Sequence, residues 1–122
     1  MVFEFDILES ESLVSIRVEG TGDFEKGVAN VLAVANDVRF KEGFNVLVDV
    51  CRLNYHPSIA ELRAFADVLI SLKHKCSGKT ALVVSNFFHY GFGKVLGGFL
   101  ELAGIKMQVF RDAPDALRWF KS

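Results

Sequence analysis

Asn45-Val46-Leu47-Val48-Asp49-Val50-Cys51, followed after a short polar loop by Pro57-Ser58-Ile59-Ala60-Glu61-Leu62, is the stretch that decides the fold. Its first half is a Val-rich run of the kind that forms a buried strand. Its second half opens a helix. Ser58 with Glu61 three residues later makes a capping box, and Ile59, Leu62, Phe65, Ala66, Leu69 and Leu72 then recur along one helical side. A buried strand feeding an amphipathic helix is the repeating unit of a mostly parallel sheet.

The unit recurs in both directions along the chain. Downstream, Lys79 to Ser85 reads as another apolar strand, followed by a helix through about Gly104. Lys106 to Phe110 is a further strand, and Pro114 suits the first position of a short last helix. Upstream, Phe24, Val28, Val31, Ala35 and Val38 keep helical spacing behind a cap at Thr21 or Asp23. Ahead of that helix the period drops to two: Phe3, Phe5 and Ile7 alternate with Glu4 and Asp6, and Val14, Ile16 and Val18 alternate with Ser15, Arg17 and Glu19. Two such runs around Glu9-Ser10-Glu11-Ser12 predict an antiparallel hairpin. The expected fold class is α/β: one domain over 1–122, an N-terminal hairpin and then alternating strands and helices. The sheet is mixed and five-stranded, with about four helices. Because Arg17, Glu19, Asp49, Lys106 and Gln108 keep one side of their strands polar, one sheet face is expected to be only partly covered by helices.

Composition narrows the function classes. With 14 Lys and Arg against 15 Asp and Glu, the net charge of −1 supplies no cationic field for nucleic acid or anionic lipid. No apolar run approaches the roughly 20 residues of a membrane span. The start Met1-Val2-Phe3-Glu4-Phe5-Asp6 lacks the basic and apolar regions of a secretory signal, so a cytoplasmic location is expected. Cys51 and Cys76 are expected to be free thiols.

In open α/β sheets, ligands gather at the carboxyl ends of strands. That rule selects two segments, Asp49 to Ser58 and Ser85 to Gly91. From them the candidate interaction or ligand surface is Asp49, Arg52, Tyr55, His56, Ser85, Asn86, Phe87, Phe88, His89 and Tyr90, with Phe92 just beyond. Ser58 is first a helix cap, since serine is strongly preferred there. It is also the candidate phosphoacceptor, because a phosphate at a helix amino end meets free N–H groups. A thiolate–imidazole pair of Cys51 with His56 or His89 has no local signature, and His74 and Cys76, two apart on a predicted helix, point to nearly opposite sides. No nucleophile elbow, phosphate loop or pair of catalytic carboxylates appears. The expectation is therefore a non-enzymatic chain without cofactor or metal. Gly91, Gly93, Gly97 and Gly98 within one predicted helix point to a close approach by a neighbouring element, favoured over the alternative that Gly91-Phe92-Gly93 opens the helix around an anion or phosphate.

Several stretches together resemble the STAS superfamily, and more closely the SpoIIAA-like proteins related to anti-sigma-factor antagonists. They are Gly43-Phe44-Asn45-Val46-Leu47-Val48-Asp49, Tyr90-Gly91-Phe92-Gly93-Lys94, and Val109-Phe110-Arg111-Asp112 running into Ala116-Leu117-Arg118-Trp119-Phe120. The resemblance covers nearly the whole chain and implies a β-α superhelix with the helices largely on one face of the sheet, and self-association as a homodimer. In the antagonists a serine after the third strand is phosphorylated and switches partner binding. Ser58 matches that serine by position, although Tyr55-His56-Pro57-Ser58-Ile59 stands where the Asp-Ser-Ser-Gly tetrad would be. SpoIIAA-like proteins also resemble lipid-carrying domains. Two functions follow: a regulatory domain contacting an unknown protein partner, or a carrier of a small hydrophobic molecule held between the third helix and the sheet near Phe87, Phe88, Tyr90 and Phe92.

Overall fold

A computed structural model describes all 122 residues. Strands β1 (Val2–Leu8) and β2 (Leu13–Thr21) pair antiparallel with Phe3 opposite Val18, Phe5 opposite Ile16 and Ile7 opposite Val14. The register puts six apolar side chains on one face, which is what fixes it. A single 3-10 turn, Glu9–Glu11, joins them, and Ser12 closes it in the left-handed region at φ 52° with its N–H on the Glu9 carbonyl. Strands β3 (Asn45–Asn54), β4 (Lys79–Val83) and β5 (Lys106–Phe110) then add in sequence order, each parallel to its neighbour, giving β1-β2-β3-β4-β5.

Helices α1 (Phe24–Ala35), α2 (Ile59–Ser71) and α3 (Phe87–Leu102) all cross the face that carries Ile16, Val46, Val48, Leu82 and Val109. Each starts on a side-chain cap: Asp23 accepts from the Lys26 N–H, Ser58 from Glu61 and Asn86 from His89. Gly93 is where α3 meets the sheet. A Cβ there would sit 2.7 Å from Val109 Cγ2 and 3.0 Å from Leu82 Cδ2, so its lost helix propensity is exchanged for close packing. Gly91 and Gly98, by contrast, face open space.

Helix α4 (Ala113–Phe120) lies on the opposite face, where Ala116 packs onto Ala81 and Val83 beside Phe110 and Trp119. Lys79 fastens its end by donating from Nζ to the Trp119 and Ser122 carbonyls at 2.8 and 2.9 Å. This face is thus covered over β3–β5 and open over β1–β2, where Arg17 pairs with Glu4 and Glu19. The open half accounts for Arg17 and Glu19, while Lys106 and Gln108 are exposed on the edge strand β5.

The core is split. Ile7, Val14, Ile16, Val34, Phe40, Phe44 and Val46 form one buried cluster, and Ala66, Leu100 and Ile105 form a second that joins α2 to α3. Two elements end earlier than their spacing predicts. α1 stops at Ala35, and Val38 is 82% exposed rather than on its inner face. Asp37 turns the chain there, its carboxylate accepting from the Arg39 backbone N–H and guanidinium. Those bonds hold the Asp37 carboxyl down at about 2. α2 stops at Ser71, which leaves His74 and Cys76 in a turn.

Candidate functional site

A cavity of about 260 Å³ lies between the sheet and α1 and α2, with α3 along one side. Central strands under helices are normally buried throughout. Here Val46 is buried, but Val48, Val50 and Leu53, farther along the same strand, are only half-buried because they face the void. The reason lies in the roof. Of the α1 residues that line it, Phe24, Gly27, Asn30, Val31, Val34 and Ala35, the pair Gly27 and Asn30 fills little of it. Phe24 and Phe65 meet edge-on at 6.3 Å and bridge α1 to α2 above it. On the scale where a 150 Å³ apolar cavity holds one benzene, this one holds roughly ten non-hydrogen atoms. Its lining includes Asp23 and Glu61 and neither Lys nor Arg side chains.

The polar groups gather at the carboxyl ends of β2 and β3, where α1 and α2 begin. Tyr55 carries a buried hydroxyl with no hydrogen-bond partner. Burial, and then the charges of Glu61 and Asp23, push it up to about 12. Glu61 acts on that hydroxyl through its charge and through the approach of its carboxylate, while its Oε1 also accepts from the Ser58 N–H at 3.0 Å and Ser58 Oγ accepts from the Glu61 N–H at 3.1 Å. His89, 6% exposed, spans the same region. Its Nε2 donates to the Tyr55 carbonyl at 3.0 Å and its Nδ1 accepts from Asn86 Nδ2 at 3.3 Å. A carbonyl can only accept, and this assigns the ring tautomer. With Asn86 Oδ1 taking the His89 backbone N–H at 2.8 Å, the imidazole is a strut between α3 and the β3–α2 loop.

Comparison with known proteins matches this architecture. An uncharacterised protein of the DUF3478 family with a SpoIIAA-like fold, from Shewanella loihica PV-4, is similar at TM-score 0.61 and 20% identity over 97% of this chain and 93% of that one. The fold is SpoIIAA-like. No family model and no curated protein sequence matches the chain.

Within the SpoIIAA-like fold the residues singled out from sequence fall into separate groups. Tyr55, His89 and Phe92 line the cavity. Exposed His56 caps this group, its ring 6.2 Å from Phe92 and 5.7 Å from Phe88. Phe87 and Phe88 are 80% and 63% exposed and line nothing, and Tyr90 lies beneath Lys94 and Arg111, 5.6 and 5.2 Å from its ring. The void is bounded by α1, α2 and α3 against the sheet, and of Phe87, Phe88, Tyr90 and Phe92 the last alone lines it. Ser58 completes both halves of its capping box. A phosphate on it would meet the amino end of α2 but also the Glu61 carboxylate.

Asp49 and Arg52 stand on the opposite face with Arg17 and Glu19. β2 advances two residues, Arg17 to Glu19, while β3 advances three, Asp49 to Arg52. That bulge puts Cys51 and Arg52 on the same side, and Asp49 Oδ1 takes the Cys51 N–H at 2.9 Å. Ser85 Oγ donates to the Cys51 carbonyl at 2.7 Å. The residues that sequence left out of the site are its walls, Val48, Val50, Leu53 and Phe65, which read as ordinary core.

The cysteine–histidine pairing is separated by the sheet, because the Cys51 side chain packs with α4 while His89 lies on the cavity side. The thiol points 3.8 Å from the Val83 carbonyl, and burial, then Asp49, pushes it up to about 11. Relative to a thiol at 9, about a hundredfold less thiolate is present at neutral pH. Its greater nucleophilicity recovers about tenfold of that. Cys51 should react with iodoacetamide about tenfold more slowly than a free thiol, with a rate still climbing above pH 10, as followed by peptide mass spectrometry. Fast alkylation at pH 7 would refute this environment. No cluster of three His, Cys, Asp or Glu side chains is arranged to hold a metal ion, and no helix is long and apolar enough to cross a membrane.

Proposed function

We propose that this chain binds a small, mainly apolar molecule in the cavity between the sheet and α1 and α2, without chemical conversion of it. The observation that carries the reading is the half-buried centre of β3: Val48, Val50 and Leu53 face a void of about 260 Å³ in a place where a SpoIIAA-like sheet has every reason to be filled. Concave apolar sites of this size are the usual form of a small-molecule pocket. Titration with naphthalene, followed by methyl NMR, tests it. Saturable shifts confined to Val48, Val50, Leu53 and Leu69 are expected, and native mass spectrometry of freshly purified protein should retain a small-molecule adduct. Absence of saturation up to the solubility limit, with no adduct, would remove the reading.

A second reading, a regulatory contact with a protein partner, draws on Phe87 and Phe88. Large apolar side chains this exposed at one helix start suit an interface more than a fold. They stand outside the cavity, near the His56 ring, so partner contact and ligand occupancy share one end of the molecule.

A further inference from the structure

Helix α3 has one side that nothing in the chain covers. Gly93 and Gly97 face the sheet, and on the side turned away from it Phe88, Val95 and Leu102 recur every seven residues, 63%, 37% and 90% exposed. Gly91 and Gly98 fall between them and face open space. The spacings run three, four, three and four, the period of a two-helix seam in which each large side chain enters a gap on the facing helix. Glycine inside a helix lowers its propensity, and unlike Gly93 these two have no close neighbour within the chain to offset the loss. Large apolar side chains left this exposed along one helix mark a contact surface.

Charge says what covers it. Lys94 and Glu101, both exposed, run along one edge of the stripe, and neither forms an ion pair within the chain. They stand two helical turns apart, too far to pair with each other. A partner of one charge sign would answer one of them and oppose the other. We propose that two copies of this chain associate through α3, packed antiparallel about a two-fold axis at the level of Leu96 and Gly97. In that register Val95 enters the gap at Gly98 of the second copy, Leu102 the gap at Gly91, and Lys94 faces Glu101, each contact made twice by symmetry. Phe88 extends past the end of the second copy's helix. A parallel pair in register would instead set Gly91 against Gly91 and Gly98 against Gly98 and leave the gaps empty. The contact names an occupant for the apolar start of α3 on which the partner-contact reading draws. It is independent of the cavity, which Gly91, Lys94, Glu101 and Leu102 do not line.

Sedimentation velocity of the intact chain, from about 1 to about 200 μM at near-physiological salt, tests the contact. Dimer should replace monomer with half-dissociation at about 10 μM, since one helix pair lies at the low end of interface sizes. Gly91→Gln and Leu102→Lys should each weaken the dimer about tenfold or more. Both positions are open in the single chain and Gln is the better helix former, so neither change should lower the Tm of the monomer. Lys94→Glu or Glu101→Lys alone sets like charges together twice and should weaken the dimer about tenfold, whereas the two combined should return it to within about threefold of the natural chain. That rescue reads a contact between copies, because a role for either residue within one chain would not produce it. Monomer at every concentration would overturn the contact and leave the start of α3 to a different protein. A dimer unmoved by these changes, or weakened by both charge changes without rescue, would overturn the antiparallel register. Naphthalene titration of the same variants reads the cavity separately.

Discussion

Val48→Phe with Val50→Phe should abolish uptake of naphthalene-sized molecules while leaving the fold as stable as before, or more so. In a filled core, each change would force off-rotamer side chains at about 1–3 kcal/mol. Both valines, however, point from β3 into a void of about 260 Å³. Phe is as good a strand former as Val, and the added rings bury apolar surface that otherwise faces the cavity. Together they add about eight non-hydrogen atoms, against roughly ten that the void accommodates. At about 0.3 kcal/mol or more per displaced ligand atom, the loss is about 2.4 kcal/mol or more, a fall in affinity of roughly sixtyfold or beyond. Calorimetric titration paired with thermal unfolding measures the two sides at once. A Tm lowered by about 8 °C or more, with binding retained, would mean that β3 is packed and the ligand lies elsewhere.

How much of this was open to reading from sequence depends on whether the feature is a pattern or a volume. The hairpin was legible because Phe3, Phe5 and Ile7 can face only one way once Val14, Ile16 and Val18 do, and the pairing register follows. The α2 start was legible in Ser58 and Glu61, and the partly bare face in Arg17 and Glu19. The cavity was not. Val48, Val50 and Leu53 have the same letters as packed core, and periodicity says which way a side chain points without saying what meets it. The nearest signal was Gly27 and Asn30 on the inner side of α1, two residues too small or too polar to reach the sheet. The exposed aromatics Phe87 and Phe88 drew the sequence reading toward α3 for the opposite reason. Their apolar character was visible, but the direction of α3 over Gly93, which turns them outward, depends on Val109 and Leu82 from two other strands. The bulge between Asp49 and Arg52 likewise leaves no mark in composition, yet it decides that Arg52 faces away from Tyr55.

Leu100→Ala should cost about 3–4 kcal/mol, whereas Leu53→Ala, the same change of atoms, should cost about 1–2 kcal/mol. The difference locates the true core. Leu100 is 1% exposed and packs with Ala66 and Ile105 in the seam that holds α2 to α3, so its removal leaves a hole among atoms that cannot follow it. Leu53 is half-buried and already borders the void, so fewer contacts are lost and the existing space only widens. With domain stabilities of about 5–15 kcal/mol, the first change removes a large share of the total and the second does not. The seam also keeps α2 over the sheet, so Leu100→Ala should weaken naphthalene binding through a looser roof although Leu100 never touches the cavity. Urea unfolding of both variants, with and without saturating naphthalene, decides the matter. Equal costs at the two leucines would mean that the space beside Leu53 is filled in solution, and the division into a tight α2–α3 seam and an open α1–α2 vault would be lost with it.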